Sequence, residues 1–589
     1  MCTKTFVYTT KTKVFLLFSD KIHIGDDMRT LEYNTDLCVV GGGMSGLCCA
    51  IAASRHGIKT VLVQDRPVLG GNASSEIRMW ICGAHGKDNR ETGIIEEIML
   101  ENFYQNKNLK YAIWDSVLYE KAILEPNLTL LLNSSCLDAE MDGNTIKSIK
   151  AWQSNAETFH KISAKYFADC SGDSILSTLS GAEFMYGRES KADFNETIPP
   201  DKADKKTMGM SCLIQIRETD HKVEFIPPEW AYAYESDDDL PYKNHTLETN
   251  FWWIELGGVW DCIHDTDRCR DELLKICYGV WDHVKNKGDH GADNWELEWI
   301  GFLPGKRESR RYVGKHIITQ NDVESGGNFA DTVAYAGWSM DDHFPEGFDY
   351  KDGYPTIFHP APSPWSIPLR AMISKNINNL CFAGRNISVT HAALSSSRVM
   401  ATCSVLGQAL GTAIAKAVKV GCPLTEIDIP DLQQTLLKDD CFIPNIKRLL
   451  SPITLNADCT SDIVRNGIER GDDNCWSGNN GDFIEYRFEN NTDIKEIRII
   501  FDSNLNRGYQ NMPCRYPLNE TKFKMPDTLI KSYRIEATDS KGNIKVINIT
   551  NNHKRYVTHK VDWKINSLRL TPLQTYGAKK LNIFSFEVY

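Results

Sequence analysis

From Asp36 to Gly71 the chain reads DLCVVGGGMSGLCCAIAASRHGIKTVLVQDRPVLGG. A continuous apolar run enters Gly41-x-Gly43-x-x-Gly46, a small-residue apolar stretch follows, and a second apolar run ends at Val63. That order predicts a strand, a tight turn, a helix and a second strand. Residues 28–190 continue in the same way, alternating short β-branched runs with helical periodicities, the pattern of an α/β nucleotide-binding fold. From 191 to 375 the texture is loop-rich and aromatic, with seven of the fourteen tryptophans between Trp230 and Trp299.

Residues 376–422 return to the first texture. NNLCFAGR is followed by the long small-residue helix SSRVMATCSVLGQALGTAIAKAVKVG, stopped by Gly421 and Pro423. Residues 423–452 read as a helical linker. In 453–589 Ile484, Tyr486 and Phe488 alternate with Glu485 and Arg487, and Tyr533, Ile535 and Ala537 with Arg534 and Glu536. This period of two, with turn signals such as DSKGN, predicts an antiparallel β-sandwich. Residues 1–27 read as an N-terminal extension, because Met28 is a natural start just before the first strand.

Length and composition narrow the function. A chain of 589 residues exceeds one core and predicts several domains. A net charge of -12 argues against nucleic acid or an anionic membrane as partner. No stretch reads as the roughly 20 apolar residues of a membrane span. The 18 cysteines form no Cys-x-x-Cys, so reduced thiols in a cytoplasmic protein are expected, and neither zinc nor an iron–sulfur cluster.

Each glycine of the turn has a separate task. Gly41 allows the sharp turn, Gly43 lets a pyrophosphate approach the backbone, and Gly46 lets helix and strand pack closely. The helix N-terminus adds free N–H groups and about half a positive charge. Where such units usually carry a ribose-binding carboxylate stands Gln64, with Asp65 next. A neutral amide bonds ribose hydroxyls with about 0.5–1.5 kcal/mol, against about 1.5–3 for a charged partner.

VVGGGMSGLCCAIAASRHG, VLVQDRPVLGGNASSEIRMW, FADCSGDS and LCFAGRNISVTHAALSSSRVMAT together resemble a family of FAD-dependent oxidoreductases widespread in bacteria, often encoded beside carbohydrate-processing genes. The likeness covers residues 28 to about 445, WWIELGG and GFLPGKRESRRYVG included, and the Gln-Asp pair is usual in that family. It implies a Rossmann-type FAD-binding domain (28–190 and 376–422) interrupted by an α+β substrate domain (191–375). By resemblance, Gly41, Gly42, Gly43, Met44, Ser45 and Gly46 hold the FAD pyrophosphate, Gln64 or Asp65 holds the adenosine ribose, and Arg66 also contacts the cofactor. Gly70, Gly71, Asn72 and Ser74 lie along the cofactor toward the flavin. Asp169 and Gly172 form a second nucleotide-contacting turn, Gly384 and Arg385 return to the cofactor, and the helix starting near Arg398 faces the flavin pyrimidine edge. The family is related to the flavoprotein subunit of heterodisulfide reductases, but the clustered cysteines of its iron–sulfur sites are missing. The segment VRNGIERGDDNCWSGNNGDFIEYRF resembles the opening of discoidin-type, galactose-binding-like domains, through Asn466, Gly467, Trp476 and Ser477.

Alcohol oxidation on a flavin needs a base for the hydroxyl proton, and histidine has the suitable pKa. His391 and His85 are the candidates, with Arg78 as a clamp for an anion or hydroxyl; a packing or capping role is the competing reading for each histidine. His343 and His359 lie in loops that border a pocket or face solvent. Arg310 and Arg311 are either clamps or members of an ion-pair network. Cys82 is a redox thiol or a buried one. The tryptophans from 252 to 299 either stack on sugar rings or build a second core. The expected function is a hydride transfer between a small, carbohydrate-derived substrate and flavin N5, with an unknown electron acceptor. The alternatives are an FAD-using lyase or glycosidase with transient internal oxidation, and a carbohydrate-binding protein with structural FAD.

Overall fold

The computed structural model describes residues 28–247, 250–508 and 524–589, so the expected extension 1–27 lies outside the described residues. Strand β1 (Arg29–Val40) enters the glycine turn, helix α1 (Met44–Arg55) leaves it, and β2 (Thr60–Val63) pairs parallel with β1. All four residues of β2 are buried, as its unbroken apolar run requires for a strand covered on both faces. β3 (Leu128–Leu131), β4 (Ser134–Asp142), β5 (Thr145–Gln153) and β6 (Thr158–Asp169) follow. The chain then builds a second body around helix α2 (Thr266–Asp282) and returns as β7 (Leu380–Phe382), parallel to β6. Among the described residues the sheet order is β3-β2-β1-β6-β5-β4, with β7 on β6. β1 lies between β2 and β6, where the direction of winding reverses, so a crevice opens at the carboxyl ends of these strands.

Helix α3 (Met400–Val420) packs on α1 through two glycines. A Cβ at Gly407 would fall 2.0 Å from Ser45 O and one at Gly411 2.2 Å from Cys49 O. By length and composition α3 could cross a membrane, which corrects the expectation that no stretch qualifies. Its apolarity has a different cause here: nearly the whole helix is buried in the main core.

The second body has its own core, which includes Trp253, Trp281, Leu273 and Cys277. The tryptophan-rich texture is thus chiefly core-forming. The C-terminal unit is antiparallel throughout: β8 (Trp476–Gly478), β9 (Ile484–Phe501), β10 (Ile530–Thr538), β11 (Ile544–Ile549), β12 (Tyr556–Thr575) and β13 (Leu581–Val588), ordered β8-β13-β9-β12-β10-β11. Ile484, Tyr486, Tyr533, Ile535 and Ala537 all point into its core. Buried Arg498, paired with Glu469 inside this unit, fastens it to the rest by donating to Lys438 O at 2.9 Å. Arg555 does the same through Asp440 at 3.1 Å.

Candidate active site

One cavity of about 940 Å³ begins at the carboxyl ends of β1 and β2 and runs into the second body. At its start Gly41 adopts φ +101°, and a Cβ there would lie 2.6 Å from the Cys170 and Ser171 backbone. A Cβ on Gly46 would fall 1.8 Å from Gly41 O, so only glycine lets strand and helix touch this closely. Gly43 differs: a Cβ there would meet only Gly71 Cα, at 3.8 Å, and a cradle stays open in front of the first turn of α1. No side chain caps that turn, and Ser45 Oγ is buried with no partner among the described residues. Free amides, the positive end of the helix and an orphaned hydroxyl at the wall of a large cavity suit a diphosphate. Farther along the wall Arg66, Lys306, Arg307, Arg385 and Arg398 supply positive charge for an anionic cofactor. These residues fit FAD.

The expected cofactor contacts divide into wall and support. Gly41, Gly43, Met44 and Ser45 line the cavity, as do Asp65, Arg66, Gly70, Gly71 and Asn72. Gly172, Gly384, Arg385 and Arg398 line it too. Gly42, Gly46 and Ser74 do not form its wall. Gly42 instead gives its N–H to Gln64 Oε1 at 2.6 Å, while Gln64 Nε2 donates to Val68 O at 3.1 Å. The Gln64 amide therefore ties the turn together, and Gln64 lines the cavity beside Asp65 as well. Asp65, 62% exposed, has its carboxylate open apart from Arg66 at 3.8 Å. Asp169 does not itself line the cavity: fully buried, it accepts from Ser171 N (2.9 Å), Leu176 N (2.9 Å) and Tyr312 Oη (2.6 Å). It shapes the turn whose next residues, Ser171 to Asp173, face the cavity. Asp173 is held well below the usual carboxylate range by Arg385 (2.7 Å) and Lys306 (2.9 Å), against the opposing effect of burial. Arg398, Val399 and Met400 place the uncapped start of α3 on the cavity.

The far end is built by the second body. His343 Nδ1 donates to Glu255 Oε2 at 2.7 Å, and its Nε2 lies 3.3 Å from Asp341 Oδ2. Arg307 stands 3.3 Å from Glu255, and Arg398 Nη2 is 3.0 Å from Asp341 Oδ2. Burial disfavours charge on His343, but Glu255 and Asp341 outweigh it and raise its pKa. Arg398 Nε is buried and has no partner among the described residues. Trp252 and Tyr354 complete this wall, and of the tryptophans from 252 to 299 Trp252 alone lines the cavity. His85 also lines it, stacked on Trp338 with ring centroids 4.3 Å apart, and burial lowers its pKa.

Two expected catalytic residues are corrected. His391 does not line the cavity. Its Nδ1 bonds Glu308 Oε2 at 2.9 Å and its Nε2 bonds Asp342 Oδ1 at 3.1 Å, so neither nitrogen offers a lone pair. Burial opposes the charge, but the two carboxylates push its pKa up to about 10, which makes it a buried cation and not a base. Arg78 sits between the rings of Tyr111 (4.6 Å) and Trp299 (4.4 Å) and bonds Gln215, so its guanidinium packs the protein away from the cavity. Cys82 lines the cavity, but burial pushes its thiol up to about 12, far from a redox-active thiolate. Arg310 is on the wall, whereas Arg311 is buried between Glu189 (2.7 Å) and Glu308 (3.2 Å). Sequence reading missed Glu255, Arg307 and Asp341; only the DDH of SMDDHF, next to His343, pointed toward Asp341.

Residues 36–436 match the family described as FAD dependent oxidoreductase. A stretch of 66 residues is 33% identical to glycerol-3-phosphate dehydrogenase from Mycobacterium leprae, covering 11% of this chain and 11% of that relative. Among solved structures, the chain is similar to a geranylgeranyl bacteriochlorophyll reductase-like protein from Thermoplasma acidophilum (12% identity, 70% of this chain, 85% of that one, TM-score 0.31). It is also similar to the family 32 carbohydrate-binding module of EndoD from Streptococcus pneumoniae (13% identity, 22% of this chain, 92% of that one, TM-score 0.17).

Proposed function

The chain belongs to the FAD dependent oxidoreductase family, and from that premise we propose that it moves a hydride between a carbon of a small polar molecule, a sugar or sugar derivative, and its FAD. The observation that carries this reading is the continuity of one cavity, from the uncapped start of α1 to a wall of charged and aromatic side chains. FAD, when bound, supplies a two-electron acceptor at flavin N5. The amides of Gly43, Met44 and Ser45 hold the diphosphate, with Asp65 on the adenosine ribose. The start of α3 lends positive potential to the electron-rich edge of the flavin ring.

On the substrate side, His343, Arg307 and Arg398 orient hydroxyl or carboxylate oxygens, and Trp252 and Tyr354 offer apolar faces to a sugar ring. His85, kept neutral by burial, takes the hydroxyl proton on a ring nitrogen as the hydride leaves. The opposite pKa displacements of His85 and His343 in one cavity favour this division of roles. Free thiols at all sixteen described cysteines suit a cytosolic setting.

The test is the visible spectrum of the purified protein, followed by anaerobic titration with a panel of sugars and polyols. A flavin spectrum bleached by one member is the expected result. Bound flavin that no sugar or polyol reduces would overturn the substrate class, and release of product with no need for an electron acceptor would overturn net oxidation.

A further inference from the structure

Outside the cavity, four side chains converge where α2 ends. His283 Nε2 lies 3.0 Å from Asp237 Oδ1 and 3.2 Å from His290 Nε2. His245 Nε2 and His290 Nε2 lie 3.4 Å and 3.5 Å from the same carboxylate oxygen. All four donor atoms fall within 4.8 Å of one another. We propose that Asp237, His245, His283 and His290 bind one Zn²⁺ that fastens the second body.

The geometry fits a tetrahedral ion. Arms of about 2.0–2.1 Å give a tetrahedron with six edges of about 3.3 Å; the four given above, 3.0 to 3.5 Å, scatter around that length, and the other two are no longer than 4.8 Å. The tautomers fit as well. His283 Nδ1 lies 3.1 Å from Tyr234 O and His245 Nδ1 2.6 Å from Lys243 O. A carbonyl only accepts, so both Nδ1 atoms carry the hydrogen, which leaves the two Nε2 atoms, both facing the centre, as the ligating nitrogens. Backbone carbonyls orient metal-bound histidines in this way. A bare imidazole nitrogen 3.0 Å from a carboxylate oxygen is repulsive unless a cation lies between them. One Zn²⁺ would meet all four donor atoms at once, where protons would need a separate bridge for each pair.

His283 is fully buried and Asp237 is 71% exposed, so the site is anchored inside and open to solvent on one side. Three nitrogens and one oxygen suit zinc, and four protein ligands leave no position for a substrate, which makes the site structural. It ties the turn Asp237–Asp239, the loop bearing His245, and both ends of the segment after α2. The His245 loop leads to the cavity: Trp253 Nε1 donates to Asn244 O at 2.5 Å, and Asn250 and Trp252 line the wall. Cysteine spacing could not reveal this site, because it contains no cysteine.

The test uses untagged, full-length holoprotein. About one zinc per chain is expected by mass spectrometry after extensive dialysis. In chelator-stripped protein, Co²⁺ should give the intense bands of a tetrahedral complex at wavelengths beyond the flavin absorption, and Zn²⁺ should raise Tm by several degrees. His290→Ala should weaken zinc binding by about 100-fold or more, beyond the loss of an outer-shell contact, while flavin content stays unchanged. Wild-type protein that carries no zinc, gives no tetrahedral Co²⁺ band and shows no Tm shift would overturn the proposal, even if the variant fails to fold. A His290→Ala protein that binds zinc as tightly as wild type would overturn it as well.

Discussion

Gly42 donates its backbone N–H to Gln64 Oε1 across 2.6 Å, at the point where β1 enters the glycine turn. The side chain that ends one strand thus fixes the turn that ends its neighbour. The same amide reaches forward to Val68 O, which shapes the approach to Gly70 and Gly71 on the cavity wall. The residue at the usual place of the ribose-binding carboxylate holds the turn together from the cavity wall itself.

Gln64→Leu removes the acceptor and leaves the Gly42 N–H buried without a partner, a cost of about 1–3 kcal/mol. The expected outcome is a lower Tm together with roughly 10-fold weaker FAD binding, since about 1.4 kcal/mol is a factor of ten. Fluorescence titration of the apoprotein with FAD reads the affinity. Equal Tm and equal FAD affinity in wild type and variant would show that the Gly42 bond does not hold the turn.

Asp65→Asn tests the other half of the pair. Its carboxylate is exposed and lightly partnered, so the fold should tolerate the change and Tm should stay within a degree or so of wild type. FAD affinity should fall about 3- to 30-fold, the difference between a charged and a neutral hydrogen bond to a ribose hydroxyl. A loss of stability with no loss of affinity would assign Asp65 to the scaffold.

These two residues also show what a sequence can reveal. The strand–turn–helix–strand unit was legible because its signals are local: glycine spacing, an unbroken apolar run, and a small-residue helix. The alternation around Tyr486 and Tyr533 was legible for the same reason, since side chains on one face of a strand share one core. The charged network was not. The partners of His391 stand 83 and 49 residues away along the chain, and His343 finds Glu255 across 88. Sequence context offered His391 as a base, but the carboxylates that convert a base into a buried cation come from elsewhere in the fold. Arg78 likewise looked available until Tyr111 and Trp299 closed around it.

His391 gives a pH-dependent stability. Its folded pKa of about 10 lies above the unfolded value of about 6.5, so its contribution is fully present below about pH 6.5 and is lost as pH rises through about 10. His391→Asn leaves Glu308 and Asp342 without the cation between them, at a cost of about 3–5 kcal/mol. The Tm gap between wild type and variant should be widest near neutrality and below, and should close toward about pH 10. A gap independent of pH would show that the ring acts by shape alone.

The last test concerns the proton. His85 has its pKa lowered by burial, which favours the neutral ring and defers its protonation to more acid solution than a free imidazole needs. If it receives the hydroxyl proton, the rate of flavin reduction by a bleaching sugar should hold through neutrality and decline on the acid side. His85→Phe keeps a ring against Trp338 but removes the proton acceptor. Flavin reduction should then slow by about 10²–10⁴-fold, the usual weight of a positioned base, while bound FAD and Tm stay near wild type. Anaerobic stopped-flow reads that rate directly. Reduction at the wild-type rate would remove His85 from the chemistry.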